Sequence, residues 1–326
     1  MNPRLPAYAS AALLAIGLAG CDSSSPTATV AKPPPATTTN QTTPLPGAGK
    51  PPVTIGDKNY TEQFVLGQLY YQSLQAQGFS VQLNQNIGPL QVTLQALTHG
   101  QLGMYPEYLD TWNADVAGYK RKYRTARSAY VAGNRYALTH GLELLNPTPF
   151  SDTSAIGVTD IFAEQNHLRA IGDLRRVEQT LTIGGPPQFQ QQSTGLPALE
   201  DAYGVTPAGF KSLEIGAQYK ALDQDVVQAA DVNTTDAELT TGNYTLLADP
   251  AGVFGIGNVV PVVSSQVLDQ EGPAFADTIN RVTALLTLPV IRQLNAAVDL
   301  AGLDPATAAR RFLVDHGLVP PSSSVS

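Results

Sequence analysis

The stretch from residue 53 to 108 most constrains what this chain can become. Val53-Thr54-Ile55-Gly56 is a β-branched run closed by glycine, which reads as a strand. Asn59-Tyr60-Thr61-Glu62 has the spacing of a capping box, with an N-cap side chain at Asn59 and an acid three residues on. Leu66, Leu69, Tyr70 and Leu74 then recur at helical spacing, and Gly78 supplies a left-handed stop. Phe79, Val81 and Leu83 alternate with polar residues as a second strand. Leu90, Leu94 and Leu97 give another helical face stopped by Gly100, and residues 102–105 read as a third strand. The order is βαβαβ. In open α/β sheets, loops at the carboxyl ends of strands gather at the ligand crevice. Asp57-Lys58-Asn59 and Glu107-Tyr108 are therefore predicted to face one cleft.

The N-terminus reads as an export signal. Arg4 gives a minimal positive region, and the apolar core at 11–19 is too short for a bilayer span. It ends in Leu18-Ala19-Gly20-Cys21, which resembles the lipobox of bacterial lipoproteins, where the signal is cut before a cysteine that then carries lipid. Residues 1–20 are thus expected as signal peptide and Cys21 as the lipidated residue. Asp22 resembles the inner-membrane retention signal of some double-membrane bacteria. Cys21 is the single cysteine, so neither a disulfide framework nor a thiolate metal site is available. No other apolar run approaches the roughly 18 residues of a membrane span. Up to Pro52 the chain is rich in Ser, Thr, Pro, Ala and Gly, and is expected to be a disordered tether.

Beyond the tether, roughly 270 residues remain, enough for two lobes. Charged residues make up 14% of the chain and its net charge is −8, which argues against nucleic acid as a partner. The basic run Lys120-Arg121-Lys122-Tyr123-Arg124 reads as a solvated helix face. A helical segment spans 130–144, and Asn146-Pro147-Thr148-Pro149 punctuates the chain after it. Further strands are predicted at 154–158, 181–185, 246–250 and 259–263. Helices are predicted at 168–177, 195–203 and 221–228, and from 275 to 318 with breaks near Pro289 and Pro305. The four histidines are scattered without metal spacing, and no nucleophile elbow or phosphate-binding loop occurs. No enzyme activity, cofactor or metal is expected.

The segments TIGDKNYTEQFVLGQLY, GMYPEYLDTW, GLPALEDAYGV, LEIGAQYKAL, NTTDAEL and LDPATAARRFLVDHGL resemble the OpuAC/ProX-type family. These are substrate-binding proteins of ABC importers for osmoprotectants such as glycine betaine, choline and carnitine, and the similarity runs over residues 53 to 319. The resemblance implies an α/β, type II periplasmic-binding-protein fold with two lobes on a two-strand hinge. Lobe 1 would comprise residues 53–153 and about 250–320, and lobe 2 residues 154–249. It also implies a small-molecule solute, a permease with its ATPase as partners, and a monomer held outside the cytoplasm by its lipid.

Quaternary ammonium groups cannot donate hydrogen bonds, so aromatic faces recognise them. In the family several tyrosines form a cage, while basic and hydroxyl side chains hold the ligand carboxylate. By resemblance Lys58 is the pocket lysine, Tyr108 a cage tyrosine, Thr111 the carboxylate-binding hydroxyl and Asp152 the acid near the cage. Asn59 and Thr61 are caps first, and ligand contacts only if the helix N-terminus faces the solute; Tyr60 between them is a further ligand-binding candidate. Tyr105 is either a contact or packing. Other positions depart from the family. Ser154, Asn233 and Gly257 stand where the family has tyrosines, and Gln192 stands where an Arg clamps the carboxylate. Three lost cation–π faces amount to on the order of 2–6 kcal/mol. Gln188, Gln192, Asn233 and Asn258 suggest instead neutral hydrogen bonding to a polar solute. Two alternatives stay open: a receptor for a non-betaine polar solute, and a sensory receptor without transport.

Overall fold

The computed structural model describes residues 44–321. The expected signal segment, Cys21 and the tether up to residue 43 lie outside them. The β-branched run forms β1 (Val53–Gly56), followed by α1 (Thr61–Ala76), β2 (Val81–Asn84), α2 (Leu90–Thr98) and β3 (Met104–Tyr108). A short helix α3 (Leu109–Thr111) runs into a π-helical turn, Trp112–Val116, before α4 (Ala126–Leu138) and β4 (Leu142–Leu144). The chain then builds a second lobe from β5 (Ser154–Thr159), α5 (Asp160–Gln165), β6 (Thr182–Gly185), α6 (Leu196–Tyr203), β7 (Gly209–Ser212), α7 (Gln218–Asp223), β8 (Ala229–Asn233) and β9 (Tyr244–Leu246). It returns as β10 (Val259–Ser264), and α8 (Ser265–Glu271), α9 (Pro273–Leu285), α10 (Leu288–Asp299) and α11 (Pro305–Asp315) follow.

Each lobe has one five-stranded mixed sheet, ordered β2-β1-β3-β10-β4 in the first and β7-β6-β8-β5-β9 in the second. In the first, β1 runs parallel to β2 and β3, while β10 is antiparallel to β3 and β4. In the second, β6 runs parallel to β7 and β8, while β5 is antiparallel to β8 and β9. The antiparallel member of each sheet is the strand delivered by a lobe crossing. Helices cover both faces of each sheet, as mixed α/β sheets require. Ile55, Leu66, Phe275, Ile279 and Leu313 pack on one face of the first sheet, and Leu102, Trp112, Val260 and Val262 on the other.

The two crossing segments meet at an antiparallel bridge between Ser151 and Asn258. Asp152 N donates to Gly257 O at 3.0 Å, and Gly257 N to Ser151 Oγ at 2.9 Å. A Cβ on Gly257 would overlap the carbonyl oxygen of Asp152, so the crossing requires glycine there.

Several local expectations change. The third strand runs to Tyr108, three residues beyond its predicted end, because pairing with β10 extends it. The helix predicted over 130–144 lies at Ala126–Leu138. Gly141, at φ +70, turns the chain so that Leu142 and Leu144 join the sheet edge. The basic run at 120–124 is irregular, not a helix face. The helix predicted at 168–177 is a 3-10 segment, Ile171–Arg176, and α5 before it is capped by Thr159 Oγ1, which accepts from Phe162 N at 3.2 Å. The helix predicted at 221–228 is the shorter α7, and the 246–250 strand ends at Leu246 within the second sheet. The expected capping box is not formed: the N-cap of α1 is Tyr60, which makes no side-chain cap bond.

The end of the expected tether is docked on the first lobe. Gly47 N donates to Gln77 O at 2.9 Å, and Lys50 Nζ caps the C-terminal end of α8 at Gln270 O, 2.9 Å. Among the described residues no single helix is long and apolar enough to cross a membrane.

Candidate ligand site between the lobes

Two carboxyl-end loops and the start of α1 bring the site together, as the strand order predicts. Lys58 leaves β1 and its ammonium reaches Glu107 Oε1 at 2.5 Å, with both side chains almost fully buried. The same carboxylate oxygen accepts the backbone N–H of Tyr108 at 2.8 Å. The Lys58 ammonium also lies 5.0 Å from the ring centroid of Tyr108 and 5.8 Å from that of Tyr60. The two rings stack with centroids 6.1 Å apart at 29°. Tyr108 is buried, whereas Tyr60 is 39% exposed and presents the accessible side of the pair.

Tyr108 donates its hydroxyl to Glu62 Oε1 at 2.7 Å. Asn295 on α10 donates its Nδ2 to Glu62 Oε2 at 3.1 Å and to the Thr235 carbonyl of the second lobe at 3.0 Å. Arg292 Nε donates to Thr234 O at 2.7 Å beside it. Asn295 thus ties Glu62 to the second lobe, a buried acceptor role for Glu62 that its capping-box spacing concealed. Burial pushes its carboxyl above the usual range. Asp152 sits at the crossing with Oδ1 buried and unpartnered. Burial first, and the Glu62 charge second, hold its carboxyl well above the ordinary value. Burial likewise pushes Asp110 and Asp236 up to about 6 each. The site is a nest of acids with two tyrosine faces and one lysine.

A cavity of about 610 Å³ begins one residue beyond Tyr108. It is lined by Asp110 and Thr111 from the first lobe, by Ser154, Ser193 and Thr194 from the second, and by the 253–256 return segment. Lys120, Arg121 and Lys122 also line it, so the basic run belongs to the cleft wall. A recess of about 900 Å³ in the second lobe contains none of the expected site residues.

Lys58, Tyr60, Tyr108 and Asp152 therefore gather at one place, with Thr111 and Ser154 on the adjoining cavity. The remaining candidates lie otherwise. Tyr105 is fully buried in the Trp112 and Val260 core because β3 alternates its faces, so its part is packing. Asn258 uses both amide hydrogens on the carbonyls of Thr148 and Phe150, at 2.8 and 2.9 Å, and so fastens the crossing rather than facing solute. Asn59, Gln188 and Asn233 are exposed, and Gln192 is half-buried outside the cavity lining. Glu62 and Asn295 were not among the candidates, and Glu107 was expected at the cleft without a role as a ligand contact. The signal for Glu107 was its place in the strand-end motif, whereas Asn295 has no sequence signal.

The comparisons agree with this architecture. Residues 51–315 match the family described as the substrate binding domain of ABC-type glycine betaine transport systems, OpuAC. The chain is 31% identical over 292 residues to the glycine betaine-binding protein YehZ of Escherichia coli K12, covering 84% of this chain and 93% of that protein. It is 29% identical to a glycine-betaine-binding protein of Pseudomonas aeruginosa, covering 81% and 88%. A crystal structure described as a glycine betaine/carnitine/choline ABC transporter superposes with a TM-score of 0.77 at 21% identity, covering 82% of this chain and 99% of that one. The fold is that of the type II periplasmic binding proteins. The chain belongs to the OpuAC family, whose members are solute-binding proteins of ABC transporters and not enzymes.

Proposed function

We propose that this protein is the lipid-anchored, extracytoplasmic solute receptor of an osmoprotectant ABC importer. It would take a small solute with a cationic head between its lobes and deliver it to a permease and ATPase. The observation that carries the reading is the pairing of the Tyr60 and Tyr108 faces with the Glu62, Glu107 and Asp152 carboxylates beside the interlobe cavity. A quaternary ammonium needs such faces and a negative field, because it has no proton to donate. A cation arriving there would draw the raised carboxyls back towards their ionised form. The reading as a receptor for a neutral hydrogen-bonding solute loses support, since Gln188 and Asn233 are exposed and Asn258 is engaged by backbone.

Calorimetric titration with glycine betaine, choline and carnitine is expected to give single-site binding of at least one. Tyr108→Ala should weaken that binding roughly 10- to 100-fold, since it removes one cation–π face and frees the Glu62 acceptor. Affinity unchanged in the variant would overturn the reading. For the anchor, Cys21→Ser is expected to release the protein from the membrane fraction, as a lost lipid chain would require. Full retention of the variant on membranes would oppose it.

A further inference from the structure

One amide group joins the tyrosine pair to the second lobe. Asn295, buried on α10, donates Nδ2 to Glu62 Oε2 at 3.1 Å and to the Thr235 carbonyl at 3.0 Å. Its amide hydrogens are thereby committed, one to each lobe. Its Oδ1 is buried without a partner. Turning the amide over would set that oxygen against a carboxylate and a carbonyl, so the acceptors fix its orientation. A buried amide that leaves its own acceptor unpaired is a poor device for stability alone. On the far side of Glu62, Oε1 accepts the Tyr108 hydroxyl at 2.7 Å. We infer that Asn295 is a positioning residue: the relay from the Tyr108 hydroxyl through Glu62 and Asn295 to Thr235 couples the tyrosine ring to the engagement of the lobes.

The second lobe is gripped beside this point. Arg292, one turn earlier on α10, donates Nε to the Thr234 carbonyl at 2.7 Å, so one helix face presents donors to consecutive carbonyls. Thr234 is also tied to the crossing: its N donates to Thr153 O at 2.9 Å and its Oγ1 to Ser151 O at 2.8 Å. The segment after β8 is therefore held by the crossing on one side and by α10 on the other. In turn, α10 is fixed to the first lobe by Ile291 and Leu294 in the core and by the bond from Thr61 Oγ1 to Asp299 Oδ1 at 2.7 Å. A rotation of the second lobe about the crossing carries the Thr234 and Thr235 carbonyls relative to α10, and so works against both donors. A solute cation on the Tyr108 face would hold Glu62 ionised and strengthen the bond from Asn295. Ring occupancy and lobe engagement then favour each other. That last step rests on the reading of Tyr108 as a solute contact; the relay itself does not.

The test is the interlobe distance in the absence of solute. Double electron–electron resonance reads it between spin labels at exposed positions, Leu138→Cys on the first lobe and Ile215→Cys on the second, in the full chain carrying Cys21→Ser. Into this background go Asn295→Leu, Arg292→Met, Tyr108→Phe and Tyr108→Phe/Asn295→Leu. Tyr108→Phe keeps the ring and removes only the hydroxyl that reaches Glu62. Asn295→Leu and Arg292→Met are each expected to raise the ratio of long to short distances roughly tenfold. Tyr108→Phe should raise it about threefold, and the double variant no further than Asn295→Leu alone, because both changes break one relay. A cooperative melt identifies folded variants, and Asn295→Ser replaces Asn295→Leu if the latter does not fold. Unchanged distances in the folded Asn295 variant overturn the inference. So does an additive double variant, which is what two merely structural bonds would give. Glycine betaine, choline and carnitine binding that is indifferent to Tyr108→Ala overturns the solute reading, and the solute-free distances judge the relay separately.

Discussion

Replacing Gly257 by alanine is expected to destabilise the protein by about 3 kcal/mol or more, the upper range for a side chain forced against packed neighbours. The cause is backbone, not side chain. A Cβ at this position falls on the Asp152 carbonyl oxygen, and the adjacent Thr153 methyl leaves no room to rotate away. The only relief is to spread the two crossing segments. That would break the Asp152 N to Gly257 O bond at 3.0 Å and strain the Ser151–Asn258 bridge. It would also shift Asp152, whose free Oδ1 faces the acid nest, so solute affinity should fall along with stability. Family resemblance places a cage tyrosine at this position, and Gly257→Tyr is the change it recommends. The crossing forbids that change more strongly than alanine. Urea denaturation of Gly257→Ala with a loss under about 1 kcal/mol, at unchanged solute affinity, would show that the crossing segments yield freely.

The same position explains which parts of the site were legible. Apolar residues at strand or helix spacing marked β1, α1, β2, α2 and the terminal helices, because each packs against one face or the other of the first sheet. Elements of the second lobe were less legible. The strand Ala229–Asn233 carries small residues with no alternation, and only its place between β6 and β5 makes it a strand. At the candidate site, motif order pointed to Lys58, Tyr108 and Asp152, which lie near one another in the fold. Local spacing misassigned Glu62, since an acid three residues into a helix reads as a cap until tertiary contacts turn it inwards. The polar substitutes Gln188, Asn233 and Asn258 sit in different settings, which their types alone do not reveal. Two are exposed, and the third is engaged by backbone carbonyls. The second ring of the nest, Tyr60, belongs to the turn at the start of α1, and no period marks it.

Raising the pH is expected to destabilise the protein through Asp57, and Asp57→Asn should remove that part of the loss. Asp57 follows β1 and is fully buried. Its Oδ1 accepts the Asn86 N–H at 2.6 Å, while Oδ2 has no partner and lies against Gly67 of α1. Burial pushes its carboxyl up to about 7, partly opposed by the Asn86 hydrogen bond. The unfolded chain releases this proton near the ordinary carboxylate value of about 4. Between about pH 4 and pH 7 the folded state therefore binds the proton more tightly than the unfolded state. Its contribution to stability is full below that window and is lost as pH rises through it. The loss is on the order of 2–4 kcal/mol once solvent screening is allowed for. Asparagine keeps the shape and the Oδ1 acceptor but carries no titrating proton. Denaturation midpoints of wild type and Asp57→Asn should run nearly parallel at and below pH 4 and diverge towards pH 8, with the variant falling less. Some slope should remain in the variant, because burial pushes Asp231 up to about 7 and raises Glu62 and Asp152 in the same direction. Identical pH profiles for the two proteins would mean that Asp57 is ionised in the folded state, and its unpartnered Oδ2 would then need a cation or water that offsets burial.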